Sequence, residues 1–108
     1  MKSIVTLLAA AAVAASAASA DAADPKAAEA LMQASGCLAC HTTDKKLVGP
    51  SYKEVADRYR TDKGAEAMLV KKVKEGGKGV WGDIPMAPNG HVKEQDLHTM
   101  VQWILSLK

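Results

Sequence analysis

The sequence predicts an all-α domain of four or five short helices, and three observations carry that reading. Apolar residues recur at helical spacing in several segments, and glycines and prolines fall between those segments. No run alternates apolar and polar residues as a half-buried strand would. The core is scant for such a domain: the 108 residues include two Trp, two Tyr and no Phe. At this size a chain usually needs a disulfide, a metal or another staple, so something other than side chains is expected at the centre.

The first twenty residues stand apart. Met1-Lys2-Ser3 is a short positive start, Ile4 to Ala15 is apolar, and Ala18-Ser19-Ala20 is a small-x-small cleavage site before Asp21. Residues 1–20 therefore read as a secretory signal peptide that is removed, and 21–108 as a single domain. The leader is mostly alanine, short of the roughly 20 strongly apolar residues that a span requires, so no stable membrane insertion is expected. Asp24 before Pro25 is a cap followed by a first-turn proline, and Ala28, Leu31, Met32 and Ser35 continue one helical face to about Ser35. A second helix is expected over Ser51 to Tyr59. A third runs from about Lys63 to Glu75, ended by Gly76, Gly77 and Gly79. The stretch Gly76 to Gly90 reads as loop. The last helix, about Lys93 to Leu107, places Leu97, Met100, Val101, Ile104 and Leu105 on one wide apolar face.

Charge excludes one class of partner. The whole chain carries a formal net charge of +2, too balanced for a nucleic-acid binder. Secretion would ordinarily turn two cysteines into a disulfide, yet Cys37 and Cys40 are so close in sequence that a bridge would stabilise little. Their use is chemical. Cys37-Leu38-Ala39-Cys40-His41 is the C-x-x-C-H pattern of covalent c-type haem attachment. Two thiols one turn apart suit the two vinyl groups on one porphyrin edge, and the adjacent imidazole then reaches the iron. A thioredoxin-like pair would need a βαβ context, and a zinc site two further ligands that His91 and His98 do not supply at a usual spacing. One covalent haem c also answers the missing core.

A sixth iron ligand is sought among His91, His98 and the methionines. Met32, Met68 and Met100 sit in helical stretches, where a methionine is normally packing. Met86 lies instead in the proline-stiffened Ile84-Pro85-Met86-Ala87-Pro88-Asn89, where a thioether suits a loop-borne ligand. His98 falls at the border of the last apolar arc, and His91, beside Gly90, reads as a loop or cap residue.

Gly36-Cys37-x-x-Cys40-His41, Val48-Gly49-Pro50-Ser51-Tyr52, Gly79-Val80-Trp81-Gly82-Asp83-Ile84-Pro85-Met86 and a final amphipathic helix with Trp103 together resemble the small class I bacterial cytochromes c of the c-551 type. The resemblance implies helices at both ends crossing beside the haem, and His41 and Met86 as axial ligands. It further implies that the Pro50 carbonyl accepts the other imidazole N–H of His41, orienting the ring. Asn89 resembles the residue donating a hydrogen bond near the methionine sulfur, and Trp81 one whose indole N–H meets a haem propionate, an apolar lid being its plainer use. Gly36 suits either close backbone approach to the haem or a helix end. Two positions depart from the pattern: Lys72 stands where relatives can carry an arginine, and lacks the planar fork, and Ala87 stands where a second proline often follows the methionine.

A histidine and a thioether would fill both axial positions, which favours ferrous iron and leaves no open site. The expectation is a periplasmic one-electron carrier and not an enzyme, serving redox proteins such as a terminal oxidase, a nitrite reductase or a cytochrome bc complex as a monomer. Leu38, Leu47, Val48, Ile84, Pro85, Ala87 and Pro88 resemble the family's uncharged docking patch, flanked by Lys45, Lys46 and Lys53. Competing readings are a haem subunit of a dehydrogenase or oxidase complex, and a haem sensor or enzyme with a vacant sixth position.

Overall fold

The computed structural model describes residues 24–108, so the leader expected at 1–20 and its cleavage point lie outside the described residues. Asp24 caps the first helix, its carboxylate accepting from Lys26 N–H at 3.1 Å. That helix, α1, spans Pro25–Ala34 and buries Ala28 and Met32. Gly36 follows with φ 77°, where an added Cβ would meet nothing within 4 Å. Left-handed backbone is thus reason enough for glycine, and the helix-ending use describes it. A short 3-10 turn, Cys37–Ala39, comes next.

Ser51 opens the second helix with a capping box: its hydroxyl accepts from Glu54 N–H at 3.1 Å, and the Glu54 carboxylate accepts from Ser51 N–H at 3.3 Å. The helix itself, α2, runs Tyr52–Tyr59 and buries Tyr52, Val55 and Ala56. The third helix, α3, spans Ala65–Glu75. It starts two residues later than its periodicity suggests, because Asp62 closes a turn there. The Asp62 carboxylate accepts from Gly64 N–H at 2.9 Å and its carbonyl from Ala65 N–H at 3.1 Å. Gly76, with φ 74°, ends α3.

The last helix, α4, spans Glu94–Ser106. Glu94 and Asp96 in its first turn suit the positive end of the helix dipole, in place of a side-chain cap. Leu97, Met100, Val101 and Ile104 are buried, Trp103 joins them, and Leu105 at the border is half-buried. This wide face is the hub of the fold, since α1, α2 and α3 all pack on α4. Among the described residues no helix is long and apolar enough to cross a membrane. β-Pairing there amounts to two isolated bridges, His41 with Lys46 and Gly77 with Met86.

Candidate haem site

The helices leave one large cleft of about 800 Å³, within the range of about 300–1,000 Å³ usual for organic ligands. Leu97, Met100, Val101 and Ile104 of α4 border it from within, so the apolar core is also the cleft's wall. Its lip carries apolar side chains in contact with solvent, Leu47 at 54% and Ile84 at 66% exposure among them. Cys37, Cys40, His41, Pro50, Trp81, Met86 and Asn89 all line this cleft, brought together from three separate stretches of chain.

His41 is held on several sides. Its Nδ1 donates to the Pro50 carbonyl at 2.7 Å; because a carbonyl only accepts, the proton sits on Nδ1, and the lone pair is left on Nε2. A Cβ on Gly49 would come within 2.6 Å of His41 Cε1, so only glycine permits this approach. The Tyr52 ring stacks on the imidazole, with centroids 5.3 Å apart and planes inclined at 21°. The supporting loop is tied down by Gly49 N–H to the Cys40 carbonyl at 2.8 Å and by Tyr52 N–H to the Thr42 carbonyl at 2.9 Å. No disulfide joins the two cysteines; Cys40 is exposed and Cys37 half-buried. Burial pushes the Cys37 thiol above its ordinary pKa.

Met86 comes from the loop after α3. Its N–H donates to the Gly77 carbonyl at 2.8 Å, and Gly77 N–H returns a bond to the Met86 carbonyl at 3.1 Å. A Cβ on Gly76 would overlap the Met86 carbonyl oxygen. Asn89 pins the far end of the loop: its Nδ2 donates to the Ala87 carbonyl at 3.1 Å and the Val73 carbonyl at 3.3 Å. Its backbone N–H reaches the Val73 and Lys74 carbonyls, both at 3.1 Å. These carbonyls belong to the last turns of α3, where orphaned acceptors need partners.

Trp81 is over a third exposed and meets the Tyr59 ring edge-on at 6.5 Å. The Arg58 guanidinium lies 5.0 Å from the Trp81 centroid and 5.6 Å from that of Tyr59. Lys72 also lines the cleft, and its ammonium occupies the space that a Gly77 side chain would need. Met32 and Met100 are buried, while Met68 lies partly exposed at the cleft. His91 is exposed in the turn before α4, and His98 sits 3.8 Å from Glu66 on α3.

Periodicity on α2 puts Tyr52 inward with Val55 and Ala56, but no pattern in the sequence pairs it with His41, or Arg58 with Trp81. Those contacts are visible only in three dimensions.

Two adjacent thiols, an imidazole with its free nitrogen at the cleft and an apolar wall define a small helical protein built round a covalent porphyrin. The chain belongs to the cytochrome c family, whose model matches residues 25–108. Among similar proteins, cytochrome c-551 of Allochromatium vinosum is 51% identical over 77 residues, 71% of this chain and 82% of that protein. Cytochrome c2 of Rhodocyclus tenuis is also 51% identical, over 84 residues, 73% of this chain and 90% of the relative. The crystal structure of wild-type Nitrosomonas europaea cytochrome c552 superimposes with a TM-score of 0.71 at 41% identity, covering 74% of this chain and 99% of that one. The type is class I, c-551-like, and the cofactor is one haem c joined through Cys37 and Cys40.

Proposed function

We propose that this chain is a periplasmic one-electron carrier in which His41 and Met86 are the axial iron ligands. The observation that carries the reading is the His41 imidazole, its Nδ1 donated to Pro50 and its Nε2 free, beside both thiols and in one cleft with a loop-borne thioether. Bound there, the haem supplies an iron that alternates between Fe(II) and Fe(III). Pro50 fixes the tautomer and raises the basicity of His41. Met86 contributes a soft sulfur that favours the ferrous form. Asn89 and the Gly77 bridge hold the Met86 backbone in place, and Trp81 shields the cleft mouth beside Arg58. With His41 and Met86 both holding the iron, the chain itself would leave no site there for a substrate, which supports carriage and not catalysis.

The leader supports export to the periplasm. The exposed apolar lip supports brief docking of redox partners such as a terminal oxidase, a nitrite reductase or a cytochrome bc complex by a monomer, through an interface below about 1,200 Å². Of the flanking lysines, Lys53 is ion-paired with Asp44 at 2.6 Å, leaving Lys45 and Lys46 as the free cations of that edge among the described residues.

Visible spectra of the oxidised and reduced holoprotein test the ligand assignment. The ferric form is expected to show the weak red band of a sulfur-ligated iron. Met86→Ala is expected to abolish that band, lower the potential sharply and admit added ligands such as imidazole. A Met86→Ala protein with an unchanged potential would remove Met86 from the iron.

A further inference from the structure

Tyr52 is the first residue of α2, and its side chain is used by neither a helix cap nor the surface. It is 4% exposed, and one face stacks on His41 while the ring meets Trp103 of α4 edge-on, with centroids 5.9 Å apart and planes at 77°. Its hydroxyl is buried and finds no hydrogen-bond partner among the described residues. A buried, unpartnered hydroxyl is a cost that phenylalanine would avoid while filling the same space. The hydroxyl therefore does not account for the position; the ring that lies against the imidazole does.

We propose that Tyr52 is a positioning residue that sets the plane of the His41 imidazole. The Pro50 carbonyl restrains one point of the ring edge, at Nδ1, and still allows the imidazole to swing about that bond. Gly49 leaves no room for a side chain beside Cε1. A flat surface on the ring face limits the swing, and Tyr52 provides it, itself braced by Trp103 behind and by its N–H bond to Thr42. The hub helix α4 thereby reaches the proposed iron ligand through two aromatic rings. Offset or edge-on aromatic pairs suit this use because their geometry is directional, unlike aliphatic packing.

The inference rests on His41 being an iron ligand, and its test separates the two. The ferrous holoprotein is compared with Tyr52→Phe and Tyr52→Leu by NMR, following exchange of the His41 Nδ1–H with solvent and the nuclear Overhauser contacts of the ring. Tyr52→Phe keeps the face and is expected to leave both readouts as in the parent, with equal or higher thermal stability. Tyr52→Leu removes the face and is expected to speed Nδ1–H exchange about two- to tenfold, the factor corresponding to one aromatic pair, and to scatter the ring contacts. Should the leucine variant fail to mature, Tyr52→Met, whose unbranched chain adapts better to the site, is read in the same way. Unchanged exchange and contacts in the leucine or methionine variant would overturn the proposal, as would a phenylalanine variant as loose as either. A parent protein whose His41 protons lack the upfield shift of an iron-bound imidazole would instead overturn the ligand reading.

Discussion

At the residue scale, the environment of His41 shows how little space a functional side chain can be given. Gly49→Ala would put a carbon 2.6 Å from His41 Cε1, so either the ring or the backbone must move. Overpacking of this kind typically costs about 1–3 kcal/mol, and we expect a loss of that size in denaturant melts of the holoprotein, together with faster exchange of the His41 Nδ1–H. An unchanged melt would show that the loop yields freely. In the sequence, Gly49 and Pro50 were visible as part of a short motif, and Pro50 was linked to His41 through a resemblance. Nothing in the chain's periodicity predicts that a proline and the glycine before it will grip an imidazole eight or nine positions earlier, because side-chain to backbone bonds across loops leave no repeating signature.

At the element scale, the helices were readable and the loop between the last two was not. Capping residues at Asp24 and Ser51, and the glycine ending α3, mark boundaries by local chemistry that survives folding. The start of α3 slipped because the Asp62 turn competes with the helix for the same backbone. The segment from Gly76 to Gly90 showed only proline, glycine and an isolated methionine. Its order comes from the single bridge between Gly77 and Met86 and from Asn89, which are pairings of individual residues. Asn89→Ala removes two side-chain bonds to backbone carbonyls, and at about 0.5–1.5 kcal/mol for each bond it is expected to loosen this loop by about 1–3 kcal/mol. Amide exchange at Met86 should accelerate accordingly while that within α1 stays as it was. Equal acceleration in α1 would mean that the loop does not open independently.

At the scale of the whole molecule, α4 organises everything else. Leu97, fully buried at the hub, is expected to cost about 2–5 kcal/mol when cut to alanine, measured by thermal or denaturant unfolding with the haem attached. A smaller loss would place the weight of the fold on the cofactor and not on helix packing. Charge acts on a different quantity. Reversal of Lys45 and Lys46 to glutamate is expected to leave stability within about 0.5 kcal/mol, while changing electron-transfer rates and their dependence on salt. Rates that keep the parent's salt dependence would exclude those lysines from docking. The all-α class and the hub helix were legible because a wide apolar arc repeats over several turns. The cleft was legible only as a deficit of core, since a cofactor's volume is written in a sequence by what is missing.

The pairing of the first described helix with the last has a consequence for assembly. A chain threaded through a channel from its amino end presents Cys37 and Cys40 long before α4 has emerged, and without α4 the wall behind them is incomplete. Once the domain closes, burial holds the Cys37 proton more tightly and blunts its nucleophilicity. The two thioether bonds are therefore expected to form more readily before the final helix arrives than after it.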